Sequence, residues 1–419
     1  MNNNRKKGRR VDRPTRRLGI EGLERRELLA GNVSVSLSSG NLRVTGDGGE
    51  NRITIFQQPN GQFNIAGLSG ETITGPRTNL TVRNITVNLG GGDDTVVISA
   101  QPNPQLPGQV LPASVIGTTT VNGGAGSDTI TVSVVGRVAG TFLIPAVSIT
   151  VDGGNDLPNF LQEPVLQDDT VALINSSAGL VNVRTYAGDD TVDLINVLAL
   201  NATVDAGTFF TFNGTTDNDV VNLFAVTALN GTVSLGAGNN TAGNLLNIDT
   251  GLFGTLNVSG GEGVDAVTLA NTLAGLSLTL NTFGGSDHVN LDVVQTGLTQ
   301  ADYQDLADLV IDAFGIDVNR LPFNLAALIG RLPNLPGFMT ISTGEGNDVV
   351  TANDVFSTYI IYIFLDGGND QLVATTVESR FAWFFGGLGN NARLLTDIDA
   401  QLLELQFSTS SIPGSGSPT

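Results

Sequence analysis

Aspartates that close glycine-rich turns are the residues in this chain best placed to do chemistry. The clearest copy runs Val121-Asn122-Gly123-Gly124-Ala125-Gly126-Ser127-Asp128, then enters the alternating stretch Thr129-Ile130-Thr131-Val132. A second copy is Gly260-Gly261-Glu262-Gly263-Val264-Asp265. Glycines allow the positive φ angles of tight turns and close approach of the backbone to an ion or a neighbouring chain. The aspartate adds a carboxylate at the exit. Carboxylate and backbone oxygens gathered in a flexible loop suit Ca²⁺, a hard cation that takes six to eight oxygen ligands.

Aligned on the position of Asp128, the turns fall at Asn51, Thr72, Asp94, Asp128, Asp169, Asp190, Asp219, Asn240, Asp265, Asp287, Asp348, Asp370 and Asn391. Many intervals repeat: 169 to 190 equals 370 to 391, and 265 to 287 and 348 to 370 are one position longer. The longest ones contain insertions. A Pro-rich loop fills 101–112, and a segment with Pro158 and Pro164 (157–167) splits one turn. The stretch 298–336 opens with Thr299 as a candidate N-cap. An apolar helical face follows through Ala301, Leu306, Leu309, Val310 and Phe314, and a second short helix is expected after Pro322.

Short strands with apolar residues at every second position flank each turn, for example Thr95-Val96-Val97-Ile98 and Leu278-Thr279-Leu280. Alternating strands at this spacing predict an all-β fold, a parallel β-solenoid of about 13 coils, each of about 21–22 residues. At about 4.8 Å per coil, that is a body on the order of 60 Å long. Stacked coils would bring the turn-closing residues into one column. Asn serves a turn as well as Asp does, yet nine of the thirteen positions are Asp and three are Asn. Like charges about 4.8 Å apart repel by about 1 kcal/mol even at water's dielectric. Such a column is a cost unless a cation bridges it. Acids also recur one residue earlier, at Glu50, Glu71, Asp93, Asp168 and Asp189.

The turn resembles the RTX (haemolysin-type) calcium repeat, Gly-Gly-x-Gly-x-Asp-x-apolar-x. Gly123 to Thr131 and Gly260 to Thr268 match it fully, and Gly90 to Val97, Ala187 to Val192, Gly344 to Val350 and Asp366 to Leu372 match in part. The resemblance implies Ca²⁺ held between successive turns by Gly123, Gly124, Gly126, Gly260, Gly261 and Gly263 with Asp94, Asp128, Asp190, Asp265, Asp348 and Asp370, and with Asp219 and Asp287 behind them. Arrays of that family repeat the nonapeptide in tandem, with turns on both edges of a shorter coil. A single turn per longer coil departs from this and implies single-sided sites.

Composition narrows the function classes. Residues 1–30 hold ten Lys and Arg against four acids, which leaves ten basic and 36 acidic residues beyond, a net of −26. A body so charged repels nucleic acid and anionic membrane and attracts cations. Cysteine is absent, which excludes thiol chemistry. The sole histidine, His288, sits at an outward strand position. No apolar run reaches the length of a transmembrane helix.

The N-terminal segment 1–31 contains Leu23-Glu24-Arg25-Arg26-Glu27-Leu28-Leu29-Ala30. It resembles the Leu-Glu-Pro-Arg-x-Leu-Leu sorting motif of planctomycete exported proteins, with Arg25 for Pro and Ala30 for Ser. That implies an extracellular or cell-surface location.

The solenoid body is expected over 32–391. A C-terminal cap follows at 392–407, with Leu394, Leu395, Ile398, Leu402 and Leu405 on a helical face above an aromatic layer of Phe381, Trp383 and Phe385. Residues 408–419 form a tail. With Asp clusters confined to turn exits, a surface or matrix role is expected, with polysaccharide or protein as possible contact. A polysaccharide-active β-helix enzyme, lyase or glycoside hydrolase, is the alternative.

Overall fold

The computed structural model of the protein describes residues 31–100, 111–136, 148–154, 167–207, 218–238, 244–249, 251–304 and 332–407. The fold is all-β, and the described residues form a single 25-stranded sheet. Its pairings are parallel except at the N-terminal end and in isolated bridges. Strand partners advance by one repeat along the chain. Thr170 pairs with Thr191, Ala266 with His288, Val349 with Gln371, and Gln371 with Ala392, each matching the interval between turns.

Offsets lengthen where insertions were expected. Thr95 pairs with Thr129 across the first insertion, and His288 with Val349 across the last. Residues 101–110, 155–166 and 305–331 of those insertions lie outside the described residues. The expected helix starts as anticipated, with helical residues at 300–304. Thr299 Oγ1 and its backbone N–H both donate to Asp302 Oδ2 (2.7 and 2.6 Å), and Asp302 N–H points back at Thr299 Oγ1 (3.5 Å), a reciprocal cap. The second helix expected after Pro322 falls outside the described residues.

Alternation explains the core. In Thr191–Asp205 the buried residues are Val192, Leu194, Val197, Ala199, Ala202 and Val204. The alternation slips by one after Leu194 and again after Ala199, and the first slip coincides with Asn196 in the left-handed region (φ 55°). Each slip turns the chain while keeping apolar residues inward. Parallel register then stacks like upon like: Ile53, Val96, Ile130, Val171, Val192 and Val221 form one unbroken buried column. Burying each such side chain is worth about 1.5–3 kcal/mol.

The two ends differ. Near the N-terminus, Asn32–Ser38 pairs antiparallel with Asn41–Thr45, and Arg52–Gln57 with Phe63–Gly67. This folds Phe63, Ile65, Leu80 and Val82 over the core. Thr72 therefore leaves the series of turns and pairs with Asn32. The strand that turns back, Phe63–Gly67, uses up the chain between Asn51 and Thr72 without adding a rung.

At the other end, Ala392–Phe407 is a strand paired in register with Gln371–Gly387, not a helix. Its inward positions, Arg393, Leu395, Ile398, Ala400, Leu403, Leu405 and Phe407, continue the two-residue alternation with the same slips, which a helix would scramble. Phe381, Trp383 and Phe385 are not a layer beneath a cap. They face outward, Trp383 stacked on Tyr362 and Phe385 on Phe364 of the preceding repeat and Phe381 on Trp383, while Ala382 and Phe384 are inside.

Candidate functional site: the corner aspartates

Register places twelve residues in one line: Asn51, Asp94, Asp128, Asp169, Asp190, Asp219, Asn244, Asp265, Asp287, Asp348, Asp370 and Asn391. Asn244, rather than Asn240, stands between Asp219 and Asp265, since Val220 pairs with Leu245 and Asn244 with Asp265. Asn240 itself lies outside the described residues. The nine aspartates and Asn51 are at most 2% exposed. The acids turn into the corner rather than forming a ridge on the surface.

Glycines make that burial possible. Gly123 and Gly260 occupy inward positions five residues before Asp128 and Asp265. A methyl group on either would strike the aspartate's carboxylate. Gly153 bears the same relation to Asp169, so the turn interrupted by 155–166 closes as if uninterrupted. Gly124, Gly126, Gly261 and Gly263 meet the previous turn instead, where a methyl would strike the carbonyls of Gly90, Gly92, Gly236 and Gly238. Sequence spacing linked these glycines to a turn; the structure shows some of them making room for the acid.

The carboxylates form a ladder of one polarity. Backbone N–H of Asp94 donates to Asp128 Oδ1 (2.8 Å), Asp128 to Asp169 (2.8 Å), Asp169 to Asp190 (2.7 Å) and Asp190 to Asp219 (3.1 Å). Asp265 donates to Asp287 (2.8 Å), Asp287 to Asp348 (2.8 Å), Asp348 to Asp370 (3.0 Å) and Asp370 to Asn391 (2.9 Å). Where the acceptor is an ionised carboxylate such a bond is roughly twice as strong as a neutral one; the last rung, to the Asn391 amide, is neutral.

A second, exposed ladder runs the opposite way one residue earlier. Ser127 N–H donates to Asp93 Oδ1 (3.1 Å), Asp168 to Ser127 Oγ (3.0 Å), Asp189 to Asp168 Oδ1 (3.0 Å) and Asn218 to Asp189 Oδ1 (2.9 Å). The recurring acids before the turn-closing residue were its trace in the sequence.

The second carboxylate oxygen is the unusual feature. Oδ2 of Asp94, Asp287, Asp348 and Asp370 is buried with no hydrogen-bond partner. Thr282 and Thr343 stand beside Asp287 and Asp348, but each sends its one hydroxyl proton to a carbonyl, of Thr343 (3.2 Å) and Leu365 (3.4 Å). Burial pushes Asp94 up to about 7, against the lowering effect of the Asn51 N–H and amide. Burial also pushes Asp287 up to about 7 and Asp370 to about 6, and raises Asp348. The neighbouring carboxylates of the column add to the rise at Asp287 and Asp370.

Such an oxygen needs a proton or a cation. Among the described residues no three acidic, His or Cys side chains converge on one point. Any ion here would take its remaining ligands from the turn carbonyls. The donor set, carboxylate oxygens plus glycine-turn carbonyls, fits a hard divalent ion.

Two features of the outer face escaped the sequence reading. Asp152, Arg184 and Asp205 occupy neighbouring strands in one line, so acids are not confined to turn exits. Burial raises both aspartates, and the Arg184 charge opposes it. The rings of Tyr362 and Trp383 stack at 4.8 Å and those of Phe364 and Phe385 at 5.0 Å, so each covers a face of its neighbour. His288 is exposed, as its strand position implied. No helix of the described residues is long and apolar enough to cross a membrane. Compared with protein-family models, curated proteins and solved structures, the chain matches none.

Proposed function

We propose that the chain is a parallel β-solenoid with a structural, adhesive role at the cell surface, stiffened by Ca²⁺ along the corner column, and that it is not an enzyme. The single observation carrying the cation is the buried, partnerless Oδ2 of Asp94, Asp287, Asp348 and Asp370. Strand spacing of about 4.8 Å is roughly twice a calcium–oxygen distance, so an ion between turns meets oxygens of both. Bound Ca²⁺ would supply the positive charge this column lacks. The net of −26 beyond residue 30 draws cations towards it. The sorting-like motif at Leu23–Ala30 supports export.

Thermal melting followed by circular dichroism, with calcium and with chelator, tests the reading. Calcium raises the midpoint at pH 8 and has little effect at pH 5, where protons occupy the same oxygens. A midpoint indifferent to calcium at both pH values leaves the aspartates as turn formers only.

One observation favours the alternative of a polysaccharide-active enzyme. The Asp152 and Asp205 positions are two strand spacings apart, about 10 Å, near the range for inverting glycosidases of about 6.5–9.5 Å between carboxyl groups. Release of reducing ends from neutral polysaccharides, abolished in Asp205→Asn, would establish it over the structural role.

A further inference from the structure

The two ends of the sheet are treated differently, and the difference points to a partner. At the N-terminal end the antiparallel strands Asn32–Ser38 and Phe63–Gly67 cover the first repeats. At the C-terminal end, Ala392–Phe407 is paired, among the described residues, on one side only, with Gln371–Gly387. Leu403 points inward yet is 38% exposed, and Leu395, Ile398, Leu405 and Phe407 are only partly buried against the core. An unpaired edge of sixteen residues over an open apolar end is a template for another strand.

A second copy offers a match. The inward positions of the last strand are spaced symmetrically about Asp399: Ile398 and Ala400, then Leu395 and Leu403, then Arg393 and Leu405. In an antiparallel two-fold pairing centred on Asp399, these six inward residues of one chain therefore land on inward residues of the other, while Phe407 reaches past the strand to Asn391. The slips after Leu395 and after Ala400 are spaced by the same symmetry, although only the first holds a left-handed residue, Asp397 (φ 52°). A shift by one residue would set inward positions against outward ones.

We propose that the protein forms a closed two-fold dimer through Ala392–Phe407, the last strands pairing antiparallel about Asp399 and joining two bodies end to end. The covered N-terminal end blocks the head-to-tail alternative, which would grow into filaments. The pairing adds on the order of ten backbone hydrogen bonds between chains. The dimer rests on strand register alone and does not require the calcium reading. Arg393 is the single charged member of the inward set and holds its guanidinium 4.9 Å from the Phe407 ring. An inward charge at a strand edge limits indiscriminate pairing, so it moderates the affinity.

The chain has no cysteine, which makes the test direct. Residues facing each other across an antiparallel pair sit about 4.5–5.5 Å apart at Cα, within disulfide reach. The full chain carrying Asp399→Cys, an exposed position, is oxidised and run on a non-reducing gel, with Ser38→Cys as the opposite-end control. Light scattering gives the mass of the unmodified protein. The expected result is a mass about twice 43.5 kDa, covalent dimers for Asp399→Cys and none for Ser38→Cys. Calcium and chelator give the same outcome. A monomeric mass at high protein concentration, cross-linking at Ser38 but not Asp399, or masses beyond two chains overturns the proposal. Circular dichroism of both variants confirms that each is folded when scored.

Discussion

Asp94, Asp287, Asp348 and Asp370 each divide two jobs between two oxygens. Oδ1 accepts a backbone N–H from the preceding repeat, while Oδ2 stays unsatisfied at Asp94, Asp287, Asp348 and Asp370. Asp348→Asn separates them. The amide oxygen can keep the bond from Asp287 N–H, as Asn391 does for Asp370 (2.9 Å), but the charge is gone. The expected outcome at pH 8 in chelator is a gain of about 1–3 kcal/mol, the range for relieving a buried polar group left unsatisfied. The calcium-dependent rise in melting temperature shrinks in the same variant, both effects measured by denaturation with and without calcium. Gly123→Ala is expected to cost at least as much in the other direction, because its methyl strikes the Asp128 carboxylate and the Gly153 carbonyl. Val293 offers a gain unrelated to the column. It is exposed, β-branched and held at φ 56°, so Val293→Gly should raise stability by about 1 kcal/mol in urea titrations.

Among the elements, the last strand decides how the molecule ends. Arg393→Leu completes the column that runs through Val350 and Leu372, and it is expected to shift the mass seen by light scattering from one chain towards two, and no further, at dilutions where the unmodified dimer dissociates. Much of this architecture was legible beforehand. Glycine spacing and two-residue alternation gave the strands, the turn-closing residues and the insertion before Asp348. Two errors share a cause. The run Leu394, Leu395, Ile398, Leu402, Leu405 fits a helical stripe because a strand that slips at two bends also spaces its apolar residues by three. Thr72 sits at the right distance from Asn51, but distance along the chain does not reveal that Phe63–Gly67 between them turns back on Arg52–Gln57. The orientation of the acids was also hidden. A turn motif gives position, while inward burial depends on the missing Cβ of a glycine five residues earlier and on the N–H of another repeat.

For the molecule as a whole, the raised carboxyls make stability depend on pH. Asp94, Asp287 and Asp370 titrate near 7, 7 and 6 in the fold, against a value near 4 in the unfolded chain. The folded state therefore binds more protons. Its stabilisation from these groups is complete below about pH 4 and is lost as pH rises through about 7. Melting temperature in chelator should fall across that window, and calcium should restore it at the upper end. The inner ladder carries a further implication. Within its two described runs, Asn51 to Asp219 and Asp265 to Asn391, each inner turn passes one N–H forward and receives one from behind, so each behaves like a vertebra whose neighbours are interchangeable. Excising 371–391 would set Ala392 where Gln371 now pairs with Val349. The shortened chain is expected to fold cooperatively with a somewhat lower melting temperature, which makes the length of this backbone adjustable in whole steps rather than fixed by its design.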